Sequence, residues 1–210
     1  MFPGPLIIKM VSMENKLINL SVKKPIWAHF YMVAPLVVIG TKEGETYNLA
    51  PKHMACPLGS GNYFGFVCTP RHHTYRNILS EKVFTVSFPK SQEIIMTSIA
   101  ASPRCHDSYT ESMLSRIPHF MSPGIDAPMV KNSYLYLDCS LEKVVGGFDE
   151  YCLIAGKITG AYLDPAYKVY AESDHQKMIY DNPLLAYLPD KRFAIIKKTL
   201  AFPFPEGFKK

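Results

Sequence analysis

The sequence predicts a mainly β protein: an antiparallel barrel with a few short helices. Three observations carry that expectation. Thirteen Tyr and 12 Phe stand beside 17 Pro in 210 residues, which favours strands and turns over a helical bundle. Six or more short segments carry strand patterning, and segments with helical patterning are few. Hydrophobic residues make up 48% and charged residues 20%, a globular composition that excludes disorder as the main state. The length fits one domain, or two small ones at most.

Taken in order, residues 1–24 are mixed, carry Lys16, Lys23 and Lys24, and read as an N-terminal arm. Pro35 to Gly40 is a continuous apolar run, and Glu45 to Ala50 answers it across a Lys42-Glu43-Gly44 turn, a hairpin signal. Asn62 to Thr69 is an aromatic-rich strand, and Val83 to Phe88 (VFTVSF) alternates with period two. Further strands are expected at Tyr134 to Val145, Tyr151 to Thr159 and Phe193 to Lys197. A short helix is expected over His73 to Lys82, and Ser108-Tyr109-Thr110-Glu111 fits a capping box opening another. Residues 118–130 hold Pro118, Pro123 and Pro128 and read as loop. The tail Phe202-Pro203-Phe204-Pro205 reads as extended.

Several function classes fail on the residues. Gly59, Gly61 and Gly65 do not make a dinucleotide fingerprint, and neither a phosphate-loop G-K-[ST] nor a G-x-S-x-G element occurs. The adjacent pairs His72-His73 and Cys105-His106 point to opposite faces of an extended chain, a poor start for a metal site. A net charge of +5, spread thinly, suits small anionic ligands and does not argue for nucleic acid. The odd set Cys56, Cys68, Cys105, Cys139 and Cys152 has no C-x-x-C spacing and reads as mostly buried, reduced thiols. The apolar stretch from Ile26 to Gly40 contains His29 and Pro35 and is too short to span a membrane. A cytoplasmic protein is the expectation.

One segment carries chemistry. An apolar strand ends at Cys68-Thr69, a basic turn Pro70-Arg71-His72-His73 follows, and a helix opens near Thr74. Free N–H groups at a helix start, the hydroxyls of Thr69 and Thr74 and the guanidinium of Arg71 would together hold a phosphate. The alternative is that Thr74 only caps a surface helix and the arginines are solvated.

In three segments the chain resembles the flavin reductase-like, FMN-binding split-barrel family, which includes the flavoredoxins. Pro35-Leu36-Val37-Val38 through Tyr47-Asn48-Leu49-Ala50-Pro51 is similar to the family's first hairpin, which ends in N-x-A-P. Arg71 to Ile78 resembles its phosphate turn and runs into Val83-Phe84-Thr85-Val86-Ser87. Leu153 to Ile158 is like its late strand. His72-His73 stands where a Lys-Asp is usual, His53 where a small hydroxyl residue is common, and Cys152 near a position that is histidine in some relatives. The similarity spans about residues 28–200, leaving 1–27 as an N-terminal extension and 201–210 as an extended C-terminal tail.

The resemblance implies a split β-barrel of Greek-key type, assembled as a homodimer with FMN in a groove near the subunit interface. It places Asn48, Leu49, Ala50, Pro51 and His53 toward the flavin ring, and Cys68, Thr69, Arg71, His73, Thr74 and Asn77 toward the phosphate. For Asn48 the alternative is a turn residue serving its own backbone, for Arg71 a solvated charge, and for His53 a half-buried ring. Tyr63, Phe64 and Phe66 are expected in the core rather than on the flavin. The implied activity is an NAD(P)H-dependent FMN oxidoreductase, with the nicotinamide nucleotide a transient reductant and a second, unidentified electron acceptor. A flavoredoxin-type carrier reduced by a protein partner, and a non-catalytic flavin-binding module, are the alternatives. No catalytic side chain, nucleic acid or membrane is implied.

Overall fold

The structure is a computed structural model that describes residues 17–99, 113–188, 191–201 and 203. The expected capping box at 108–111, Cys105 and most of the 201–210 tail lie outside the described residues.

Twelve strands are described: β1 (Ala34–Pro35), β2 (Val37–Glu43), β3 (Thr46–Lys52), β4 (Ala55–Pro57), β5 (Tyr63–Cys68), β6 (Val83–Pro89), β7 (His119–Met121), β8 (Pro128–Val130), β9 (Ser133–Phe148), β10 (Tyr151–Leu163), β11 (Leu184–Leu188) and β12 (Arg192–Ile196). Four α-helices accompany them: α1 (His73–Glu81), α2 (Ile94–Ile99), α3 (Met113–Arg116) and α4 (His175–Asp181). Seven strands form one curled antiparallel sheet in the order β3-β2-β6-β9-β10-β5-β4, the half-barrel expected from the sequence. β1-β11-β12 and β7-β8 make two smaller sheets.

The main core fills the concave side of this sheet. Val37, Ile39, Phe64, Phe66, Phe84, Val86, Cys139 and Ile154 meet there, and Ile78 of α1 closes one end. Phe64 and Phe66 are core residues, as expected. A second cluster on the other side joins Val38, Leu49, Ile117 and Val130. Successive residues of a strand point to opposite faces, so β2, with a core on each side, needs its unbroken run Val37-Val38-Ile39.

One sequence expectation is corrected. Thr85 and Ser87 of β6 are both fully buried. Their hydroxyls serve β8: Thr85 donates to the Pro128 carbonyl, and Ser87 accepts from the Val130 N–H at 3.1 Å. Residues 118–130 are therefore not all loop. β7 and β8 pair through His119–Val130, Phe120–Met129 and Met121–Pro128. The three prolines hide this pairing because prolines are sparse in central strands, whereas here Pro128 contributes its carbonyl and needs no N–H.

Among the described cysteines, Cys56 is exposed and Cys68, Cys139 and Cys152 are buried. Burial pushes the Cys139 thiol up to about 12 and raises those of Cys68 and Cys152. Only the thiolate is nucleophilic, so iodoacetamide at mildly alkaline pH is expected to label Cys56 and to spare these three until denaturant is added. Peptide mapping checks this, and rapid native labelling of Cys139 would contradict it.

Candidate functional site

Three pieces of chain converge beside the edge of the large sheet. The first is β3 itself. It pairs with β2 through Asn48–Thr41, Leu49–Gly40, Ala50–Ile39 and Pro51–Val38. As the edge strand, it turns the other side of its backbone away from the sheet. Leu49 anchors it in the second core cluster, and the Asn48 side chain is buried.

The second piece is the turn from β5 into α1. Cys68 points into the main core, so the strand ends on a fixed anchor. The Thr69 carbonyl accepts from the His72 N–H at 3.0 Å, and its hydroxyl oxygen lies 3.5 Å from the Arg71 N–H. His72 is the N-cap residue of α1, with extended backbone and no side-chain cap bond. No partner for the N–H groups of His73 and Thr74 is found among the described residues. A helix start in that state presents donors and a positive dipole end to an anion.

Thr74 is not a cap. It is the second residue of α1, buried, and its hydroxyl accepts from Asn48 Nδ2 at 3.4 Å, which ties the turn to β3. Asn77 donates to Thr41 at 3.0 Å and fastens the helix to β2. Arg71 extends to solvent and pairs with Glu150 at 3.0 Å. His73 pairs with Glu43. His72 turns the other way: its Nδ1 lies 3.3 Å from Lys52 Nζ and 3.9 Å from Cys68 Sγ. Burial, and then the Lys52 charge, hold the His72 ring below the usual histidine pKa. Cys152 stands directly opposite Cys68 on β10, and its thiol donates to the Cys68 carbonyl at 3.4 Å.

The third piece is a cavity of about 560 Å³ beyond Lys52. Leu36, Pro51, Ile94, Tyr187 and Phe193 supply apolar wall, with Thr97 and Ser98 on one side. The His53 ring lies 4.5 Å from that of Tyr187, centroid to centroid, at 36°. Burial first, and Lys52 second, keep His53 below its ordinary pKa, so this wall is neutral near neutrality. Lys52, Lys191 and Arg192 complete the lining. That β11, β12 and α2 line this cavity was not legible in the sequence, because no motif marks the contact and these elements lie far along the chain from His53.

The site residues thus fall into two groups. Asn48, Thr69, His72 and Thr74 lie together around the helix start, while Pro51 and His53 face the cavity, with Lys52 touching both. This arrangement fits a ligand with a phosphate at one end and a planar body at the other. The donors of α1 would take the anion, and the outer edge of β3 would face the ring's polar rim.

A curled antiparallel half-barrel with an anion-ready turn beside its edge strand defines a split-barrel protein. The chain belongs to the flavin reductase-like family: the family model described as "Flavin reductase like domain" matches residues 29–182. No curated protein matches it by sequence. Among solved structures it is similar to an FMN-binding protein from Thermus thermophilus, at 17% identity over 88% of this chain and 99% of that one, with a TM-score of 0.72. It is similar also to flavoredoxin from Methanosarcina acetivorans, at 20% identity over 91% and 97% of the two chains, with a TM-score of 0.71. A third is a protein from Shewanella frigidimarina assigned as a flavin reductase with a split barrel domain, at 19% identity over 82% and 87%, with a TM-score of 0.70.

Proposed function

We propose that this chain binds FMN and works as an NAD(P)H-dependent oxidoreductase that passes electrons to a second acceptor. The observation that carries the reading is the start of α1, where no described residue takes the N–H groups of His73 and Thr74 and where Asn48 of the edge strand donates to the Thr74 hydroxyl. When bound, the flavin supplies two-electron redox chemistry that side chains lack. The protein's part is to hold the phosphate at α1, align the ring along residues 48–51 and exclude water with the apolar wall around His53. The cavity favours a small-molecule substrate over a carrier that meets only protein partners. A homodimer is supported by the exposed apolar run Trp27, Phe30, Tyr31, Met32 and Val33, which a second subunit would cover. Buried thiols suit a cytoplasmic setting, and no described helix is long and apolar enough to cross a membrane.

The test is anaerobic: purified protein loaded with FMN should be bleached by NADH or NADPH. Failure of both, with FMN bound, would move the chain to the flavoredoxin-type carriers. Arg71→Ala should weaken FMN binding by about 1.5 kcal/mol and leave riboflavin binding unchanged, the low end for a charged hydrogen bond because Glu150 already shares the guanidinium. Equal losses for the two ligands would remove Arg71 from the phosphate site.

The sign of the pH dependence follows from His72. Its pKa is depressed in the free protein, and a phosphate within reach would raise it, so binding takes up a proton. FMN affinity should be highest at low pH and fall as pH rises from the depressed free value through the raised bound one. His72→Gln should flatten the profile. His73→Gln should not, because Glu43 holds that ring. Isothermal titration across mildly acidic to mildly alkaline pH checks all three proteins.

A further inference from the structure

Lys52, the last residue of β3, reaches from the edge strand to the helix start of α1. Successive strand residues alternate in face, so Lys52 leaves β3 on the side of Asn48, with Leu49 and Pro51 on the other. Both side chains of that side arrive at the turn. Asn48 Nδ2 meets the Thr74 hydroxyl at 3.4 Å, and Lys52 Nζ lies 3.3 Å from His72 Nδ1. An ammonium carries donors only, so His72 accepts through Nδ1 and its ring is neutral in this contact. Lys52 forms no ion pair among the described residues. The groups that feel its charge are His53, Cys68 and His72: burial first and Lys52 second hold both rings below their usual pKa, and Lys52 opposes the rise that burial imposes on the Cys68 thiol. Its hydrogen-bonding neighbours are thus uncharged, and the helix beside it presents a positive dipole end, which disfavours a cation by itself. An anion at the turn relieves both. Arg71, by contrast, is already paired with Glu150 and its side chain is 80% exposed.

We propose that Lys52 is the principal side-chain cation for the flavin phosphate, giving one N–H to His72 and another to a phosphate oxygen. The ligand's identity rests on the flavin reading above, whereas the site's response to phosphate is measured without flavin. Lys52 then separates FMN from riboflavin, which has the same ring and no phosphate.

The experiment uses Lys52→Met, which keeps the apolar stem and loses the charge, and Lys52→Arg, which keeps both. By calorimetric titration, Lys52→Met should weaken FMN binding about thirtyfold, against about tenfold for Arg71→Ala, within the range of a charged hydrogen bond. Riboflavin binding should not change, and Lys52→Arg should stay within about threefold of wild type for FMN. The second readout is the His72 imidazole resonance of the flavin-free protein. Inorganic phosphate should move it in wild type and in Lys52→Arg, and leave it in place in Lys52→Met. Without phosphate, the His72 pKa should be higher in Lys52→Met than in wild type, since His73 and Glu150, the other charges that act on the ring, are unaltered. Equal losses for FMN and riboflavin, or an FMN loss no larger than that of Arg71→Ala, would overturn the assignment and leave the flavin reading standing. Wild type that binds no flavin yet shows the Lys52-dependent phosphate response would sink the flavin reading and keep Lys52 as the anion's ligand. Wild type that answers to neither would overturn both.

Discussion

Gly40→Ala is expected to destabilise the protein by about 3 kcal/mol, at the upper end for overpacking a core. Gly40 lies in β2, opposite Thr85 of β6 and Leu49 of β3. A Cβ there would stand 2.0 Å from the Pro128 carbonyl oxygen and 2.4 Å from Thr85 Oγ1. The first neighbour is backbone and cannot rotate away. The second is the hydroxyl that bonds that same carbonyl, so one added methyl pushes β8 off the sheet and breaks its fastening together. Urea unfolding of wild type and variant measures the change. A loss under about 1 kcal/mol would mean that β8 moves freely against β2, and would count against the second core cluster as a rigid unit.

Phe84→Ala should cost about 3–5 kcal/mol, the range for emptying a buried aromatic site. Phe84 is fully buried, meets the Phe66 ring edge-on at 5.6 Å, and lies over Gly156, where a Cβ would come within 2.4 Å of its Cζ. Gly156→Ala should therefore also destabilise, by about 1–3 kcal/mol. The two changes relieve one another in part: Phe84→Leu/Gly156→Ala should be more stable than the sum of its single variants predicts, since the shorter side chain vacates the space the new methyl needs. Strict additivity in a double-mutant cycle would contradict the contact.

The strands that form local hairpins or carry a strong apolar run were readable from their residues. Val37 to Glu43 and its partner Thr46 to Lys52 announce themselves by β-branched residues around a glycine turn, and Gly44 does adopt φ +60°. The helix over His73–Glu81 was readable as well, because Ile78 and Thr74 face inward at helical spacing. β7, β8 and β4 were not. Each has three residues: β4 pairs with β5 and β7 with β8 close by in the chain, and β8 is also held by the hydroxyls of Thr85 and Ser87. A segment that short has no periodicity to read.

The sequence by itself determined the class of fold and the family, because these depend on local patterning and on residues adjacent in the chain. Only the tertiary structure decided which side chains near the turn between Thr69 and Thr74 are already engaged: Arg71 by Glu150, His73 by Glu43, Asn77 by Thr41 and His72 by Lys52. It alone brought Tyr187 of β11 and Phe193 of β12 to the cavity that His53 lines. The reason is physical. A hydrogen bond or an ion pair depends on separation in space, and a curled antiparallel sheet joins residues 79 positions apart, as in Arg71–Glu150, as closely as neighbours in a hairpin.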